Sequence, residues 1–382
     1  MSVSQREKLL NKAFRPHSPI EEKDSFFGRE KEQLRVIQAL HSPGQHIVIY
    51  GERGAGKTSL ARVSTIGTKR IDVFCEIAST FAKLAKDVAI SYQQSRPSEI
   101  SYDASSDTIS IRGVQYLLSQ LDGNALKFLL PSEPTVIIFD EVDRLPLNTL
   151  KDLGEFTKNI ATDLGHITLI FVGVGETVTD LLRGHESVFR NIKSVGLGRF
   201  EKDSDIKDIL DRGGEISGLT FSQESISDII SASDRLPFYV QLLGISSARV
   251  ALTNNELLVT RNHVNQGAEG AAQDADESLR DKYEAAILSS RSDSYKFTLW
   301  GLASLDSGLE GAVGQIAISA SKFSPQKISV QMAGSALKQL VSETRYKIIA
   351  TRTTGPRKTF YSFSHPLMRG YVRLKIHAAN NS

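Results

Sequence analysis

Gly51-Glu52-Arg53-Gly54-Ala55-Gly56-Lys57-Thr58 fits the pattern G-x-x-x-x-G-K-[ST]. Each part of that octet answers to a phosphate chain. The glycines let main-chain N–H groups close on an anion with no side chain in the way. The N-terminus of a following helix adds partial positive charge. The lysine reaches the β- and γ-phosphates, and the hydroxyl faces Mg²⁺. The flanks agree. His46-Ile47-Val48-Ile49-Tyr50 is an apolar, β-branched run suited to a buried strand, and Ser59-Leu60-Ala61-Arg62-Val63 continues as a helix. The stretch therefore implies a strand–loop–helix unit that holds ATP with Mg²⁺. The expected contacts are Gly51, Glu52, Arg53, Gly54, Ala55, Gly56, Lys57, Thr58 and Ser59.

A second apolar run, Thr135-Val136-Ile137-Ile138-Phe139, ends in Asp140-Glu141. A carboxylate at the C-terminal edge of a neighbouring strand is what a metal-bound triphosphate needs. Asp140 is expected to support Mg²⁺ through its water shell, and Glu141 to orient or deprotonate the attacking water. Strands are expected at 46–50, 71–75, 135–139 and 167–173. Helices are expected near 56–65, 79–94, 113–121 and 148–163. Alternating strands and helices imply an α/β fold, a parallel sheet covered on both faces. Between them, Ser101 to Gly113 reads as a hairpin around Ser105-Ser106-Asp107. It is either a surface excursion or an insertion that contacts nucleic acid or a neighbour.

These motifs resemble the AAA+ superfamily of P-loop ATPases, in its origin-recognition and STAND-like branch. Phe26-Phe27-Gly28-Arg29-Glu30 is similar to the F-x-G-R-E signature that opens such domains, which implies that Phe27 helps enclose adenine. Glu186-Ser187-Val188-Phe189-Arg190 sits where such proteins carry an arginine finger. Arg190 is thus either a solvated surface arginine or a catalytic charge on the γ-phosphate of a neighbouring subunit. Ser233-Asp234-Arg235-Leu236-Pro237 resembles the sensor-2 motif of a helical lid. Arg235 then either senses γ-phosphate or caps a helix or pairs with Asp234, and Pro237 starts a helix. The strand after Asp140-Glu141 departs from the family. It runs into Gly173-Val174-Gly175-Glu176-Thr177, where a polar sensor is usual and only Glu176 or Thr177 is available. Nucleotide binding is unaffected by this departure, but rapid hydrolysis is not expected.

The chain has 382 residues, enough for two or three domains. Its single cysteine, Cys75, argues against a disulfide framework and for the cytoplasm. Residues 1–20 lack the apolar core of a secretory signal, and no apolar run reaches the length of a membrane span. Residues 321–382 hold eleven Lys and Arg against one Glu, a balance of +10 in a chain whose net charge is +2. A basic C-terminal segment on an acidic body points to a polyanionic partner.

The expected organisation is an N-terminal extension (1–20), an ATPase core (21–200), a helical lid (201–268), a linker helix (269–293), a winged-helix domain (294–376) and a tail (377–382). In the winged helix, helices around Phe297–Leu305, Val313–Ile316 and Ile328–Val341 precede strands 346–351 and 359–363. Lys327 and Lys338 would mark the recognition helix, and Arg352, Arg357 and Lys358 the wing. Such a surface suits DNA, while winged helices also serve as protein-interaction modules. The leading expectation is an oligomeric ATPase, with Lys57, Glu141, Arg190 and Arg235 as its catalytic set, whose nucleotide state controls assembly and DNA engagement. The rival is an ATP-gated switch acting on a protein partner, such as a separate effector in a bacterial defence or toxin module. A third is a DNA-binding regulator with vestigial hydrolysis.

Overall fold

The computed structural model describes residues 3–95, 100–111, 113–117, 121–175, 190–288, 293–305, 308–354 and 358–379. They form two compact units: Pro19–Gly198, and Met1–Ser18 with Arg199–Ser382.

In the first unit the strands are β1 (His46–Gly51), β2 (Lys69–Phe74), β3 (Ile100–Asp103), β4 (Thr108–Ile111), β5 (Val114–Leu117), β6 (Thr135–Asp140), β7 (Ile167–Val174) and β8 (Ile192–Leu197). Five of them make one sheet in the order β2-β6-β7-β1-β8, and every pairing in it is parallel. Because side chains alternate along a strand, neighbouring residues serve opposite faces. Ile137, Phe139, Leu169 and Phe171 pack with Leu84, Val88, Phe156 and Ile160 on one side. Val136, Ile138, Ile170 and Val172 pack with Val36, Ala39, Leu60 and Ala61 on the other. The covering helices are Phe81–Ser95 and Leu147–Asp163 on the first face, and Glu30–Leu40 and Lys57–Ser64 on the second. Burial on both faces explains why these strands are unbroken apolar runs.

Two elements differ from expectation. The region 113–121, expected as helix, contains β5, which pairs antiparallel with β4, Ile109 facing Tyr116. Gly113, at φ +84°, turns the chain there, and hairpin pairing overrides the helical spacing of the apolar residues. The hairpin read at 101–113 is thus the first part of a three-stranded antiparallel sheet. The fifth parallel strand, β8, was not expected. It carries Lys193, Ser194 and Gly196 among its apolar residues and lies at the sheet edge.

The second unit is mainly helical. The N-terminal helix Val3–Ala13 belongs to it: Phe14, fully buried, lies so close to Gly213 and Gly244 that a Cβ at either would meet its ring. Pro237 opens helix Pro237–Thr253, as expected. Helices Ser294–Ala303, Val313–Ala320 and Val330–Leu340 follow, with strands β11 (Glu310–Ala312), β12 (Ile349–Thr354) and β13 (Lys358–Phe363) in the order β11-β13-β12; the short β9 (Thr220–Phe221) and β10 (Leu258–Val259) pair on their own. The closing helix Met368–Ala379 packs flush on helix Pro237–Thr253 at Gly370, where a Cβ would strike the Tyr239 ring. No described helix is long and apolar enough to cross a membrane.

His46 is buried at the start of β1. The Leu169 N–H donates to its Nδ1 at 3.2 Å. The ring proton therefore sits on Nε2, 3.2 Å from the Thr157 carbonyl it donates to. Burial lowers its pKa to about 4. A histidine held neutral by the fold favours the unfolded state once it can protonate. Its contribution is complete above about pH 6.5 and is lost as pH falls toward 4, up to roughly 3 kcal/mol. Urea unfolding of wild type between pH 7.5 and 4.5 should show this loss in the first unit. His46→Gln, less stable at neutral pH, should show a flatter dependence.

Candidate phosphate-binding site

The sheet order sets the site. β7 lies between β6 and β1, and its end, Val174, pairs with Gly51. Asp140, Val174 and Gly51 thus meet at the C-terminal edge. Gly51 is required for room: a Cβ there would lie 2.0 Å from the Leu197 carbonyl oxygen of β8. Gly56 is required for its backbone. It takes φ +88° as the residue that begins helix Lys57–Ser64, although a Cβ there would meet nothing within 4 Å. No side chain caps that helix, so its first N–H groups are available to an anion.

Lys57 is buried, and its Nζ donates to the carbonyls of Gly51 at 3.1 Å and Glu52 at 2.9 Å. Burial lowers its pKa, opposed by the negative charges of Asp143, Asp140 and Glu52. The Thr58 hydroxyl donates to Asp140 Oδ2 at 2.9 Å, across the end of β7. Asp140 Oδ1 accepts the Glu141 N–H at 2.9 Å. Burial raises the Asp140 pKa, while these two hydrogen bonds oppose the rise. Thr58 and Asp140 thereby form the oxygen pair a hard cation takes. Among the described residues no group of three or more His, Cys, Asp or Glu forms a metal cage. A magnesium ion here would need phosphate oxygens and water to complete its shell.

Glu141 is at φ +58°, and its carboxylate is 2.7 Å from the Arg144 guanidinium. Glu52 is half-buried and Arg53 exposed. Ser59 accepts the Ile20 N–H at 3.0 Å, which lays the incoming chain over the first turn of the helix. Phe27 is half-buried. Its neighbour Arg29 was read as part of a base-enclosing signature. It is instead buried beneath the loop, donating to the Gly198 and Ala55 carbonyls. No local signal marks that support, since Arg29 stands among charged residues such as Glu30, Lys31 and Glu32.

Arg190 lies apart from this cluster. Arg190 is exposed just before β8, whose far end pairs with Gly51. Seven residues of extended chain put it roughly 20 Å from the loop, too far to serve the site of its own subunit. Glu176, Thr177 and residues 186–189 lie outside the described residues. Arg235 belongs to the second unit. It takes φ +59° and pairs with Asp203 at 2.6 Å and the Glu201 carbonyl, not with Asp234. Asp234 is instead a buried hub for Arg199, Arg369 and Arg373.

Several cations of the basic C-terminal segment have partners within the chain. Arg369 and Arg373 serve Asp234, and Arg345 donates to the carbonyls that end helix Glu277–Ile287. Arg352, expected at the wing, forms a two-pronged pair with Glu310. Lys347 and Lys375 pair with Glu343 and Glu284. Lys327, Lys338 and Lys358 are exposed, and Arg357 lies outside the described residues.

Residues 40–182 match the family model described as an AAA domain. The chain is similar in structure to the Walker-type ATPase paby2304 of Pyrococcus abyssi, at 18% identity over 94% of this chain and 99% of that one, with a TM-score of 0.55. It is also similar to the Aeropyrum pernix ORC2 protein in its ADPNP–ADP complexes, at 13% identity over 97% and 98%, with a TM-score of 0.52. The Aeropyrum pernix ORC1 protein in complex with DNA is 16% identical over 98% of both chains, with a TM-score of 0.50. These likenesses establish a shared fold. No curated protein sequence matches the chain.

The contact between Gly51 and β8 yields a test. Gly51→Ala should lower stability by about 3 kcal/mol or more, because the new methyl meets main chain that cannot step aside. Gly67→Ala, where a Cβ meets nothing but φ is +82°, should cost only about 1 kcal/mol. Thermal melts of the two variants against wild type compare them.

Proposed function

We propose that this AAA domain binds and hydrolyses ATP with Mg²⁺, and that its nucleotide state controls assembly and the engagement of a partner. The observation that carries the reading is the Thr58–Asp140 hydrogen bond beside a buried Lys57 and an uncapped helix N-terminus. A cation kept from water and a row of free N–H groups are both met by a triphosphate. The backbone of Gly51–Ser59 wraps the phosphates, with Glu52, Arg53 and Ala55 on the loop and Phe27 toward the base. Lys57 takes the β- and γ-phosphates, and Thr58 and Asp140 hold the metal. Magnesium supplies charge neutralisation at the phosphates; the remaining chemistry falls to protein side chains.

Glu141 is the base in this reading. It must turn from Arg144 toward a water, and an exposed ion pair of this kind holds it by no more than about 1 kcal/mol. Arg190 acts on the site of a neighbouring copy, consistent with its place at the opposite end of β8. Arg235 acts from the helical segment 201–268 as a lid. The helices and three-stranded sheet after residue 294 serve as a winged helix that meets DNA through Lys327, Lys338, Lys358 and Arg357. The internal pairing of Arg352, Arg345, Arg369 and Arg373 favours a second reading, in which the same module meets a separate effector protein.

Two experiments separate these claims. Lys57→Ala should abolish ATP binding in equilibrium titration. Glu141→Gln should keep ATP bound and lower turnover by about 100-fold or more; normal hydrolysis by Glu141→Gln would remove the base assignment. For DNA, only a few cations are available, so log K against log salt should have a slope of about −3 to −4. Reversing Lys327, Lys338 and Lys358 to Glu should erase binding. No duplex binding at low salt, with or without ATP, would leave the protein-partner reading.

A further inference from the structure

β7 ends in Gly173-Val174, followed by Gly175; among the described residues that end offers no polar side chain to face a γ-phosphate. The short 3₁₀ turn Val142–Arg144 lies next to that end. Asp143 Oδ1 accepts the Val174 N–H at 2.8 Å, so a carboxylate from the β6 side is tied to the tip of β7. Asp143 is exposed, which leaves it open to water and ligand. Two residues earlier, Glu141 is drawn toward Arg144. Val174 in turn pairs with Gly51, the first residue of the phosphate loop, so Asp143 is held at the strand end that borders that loop.

We infer that Asp143 is a positioning residue for ATP hydrolysis: held by Val174, it occupies the place of the missing polar side chain on β7 and orients the attacking water beside the γ-phosphate. The inference rests on the proposed ATPase reading and deepens it. In the step it serves, the water oxygen bonds to the γ-phosphorus as the bond from phosphorus to the β–γ bridging oxygen breaks. The water proton passes to Glu141. One Asp143 oxygen stays on the Val174 N–H, and the other accepts a hydrogen bond from the water, fixing its line of attack. A carboxylate beside the γ-phosphate also repels it, so the same placement weakens ground-state binding while it speeds the chemical step.

That opposition in sign makes the role testable. Asp143→Asn keeps an oxygen for the Val174 N–H and removes the charge. It should bind MgATP about two- to five-fold more tightly, and turn over on the order of 10-fold or more slowly. Asp143→Glu should recover part of the rate. A purely structural Asp143 would leave both the affinity and the rate of Asp143→Asn near wild type, with Asp143→Ala alone impaired. Unchanged or weaker ATP affinity in Asp143→Asn, or a rate within two-fold of wild type, would overturn the inference. Lys57→Ala, measured alongside, tests the underlying reading: if it binds ATP like wild type, the ATP site itself is wrong. If the wild type binds ATP without turnover, the hydrolytic reading and this inference fail together, while the ATP site stands.

Discussion

A lysine ammonium kept out of water at residue 57 is the constraint on which the first unit depends. Burying a cation is costly unless its environment compensates. Here two loop carbonyls accept its hydrogen bonds, and nearby carboxylates favour its charge. That arrangement requires the loop to close tightly, which requires glycine at 51 against β8 and at 56 before the helix. It also requires β7 to stand between β1 and β6, so that Thr58 can reach Asp140 over its end. The same edge is completed by Arg29, which ties Ala55 to the chain leaving β8.

The second unit is organised around a charge of opposite sign. Asp234 is buried among Arg199, Arg369 and Arg373. Its arginines come from the start of the unit's longer segment, at Arg199, and from its closing helix. Arg369 and Arg373 also donate to the Ala303 carbonyl at the end of helix Ser294–Ala303. Tyr239 adds a hydrogen bond to the Leu367 carbonyl at 2.7 Å. Removing one member of such a buried network generally costs about 3–5 kcal/mol, because a partner charge is left uncompensated. The segment that resembles a sensor motif is therefore also the joint that unites the helices of this unit.

The phosphate loop and the strand ending in Asp140 were legible because their signals are local. Each is a short apolar run followed by residues whose chemistry is specific. β8 was not legible, since an edge strand with Lys193, Ser194 and Gly196 lacks that run. β5 misled for the converse reason: Val114, Leu117 and Leu121 have helical spacing, and only pairing with β4 makes a strand. The basic C-terminal balance was counted correctly, but its meaning depended on partners far away in sequence. Asp234 lies 135 residues before Arg369, and Glu310 lies 42 before Arg352. Composition counts charges and cannot tell which are already neutralised. Nothing local distinguishes Asp143 beside Glu141, because its hydrogen bond is to Val174, on another strand.

The central claim is that the loop is built for a phosphate chain rather than for a nucleoside. Calorimetric titration of the full chain with MgATP and with AMP measures this directly. Lys57 and the loop amides engage the β- and γ-phosphates, so the account predicts saturable one-to-one binding of MgATP and affinity for AMP at least about 100-fold lower. Equal affinity for the two nucleotides, or no MgATP binding at millimolar concentration, would contradict it.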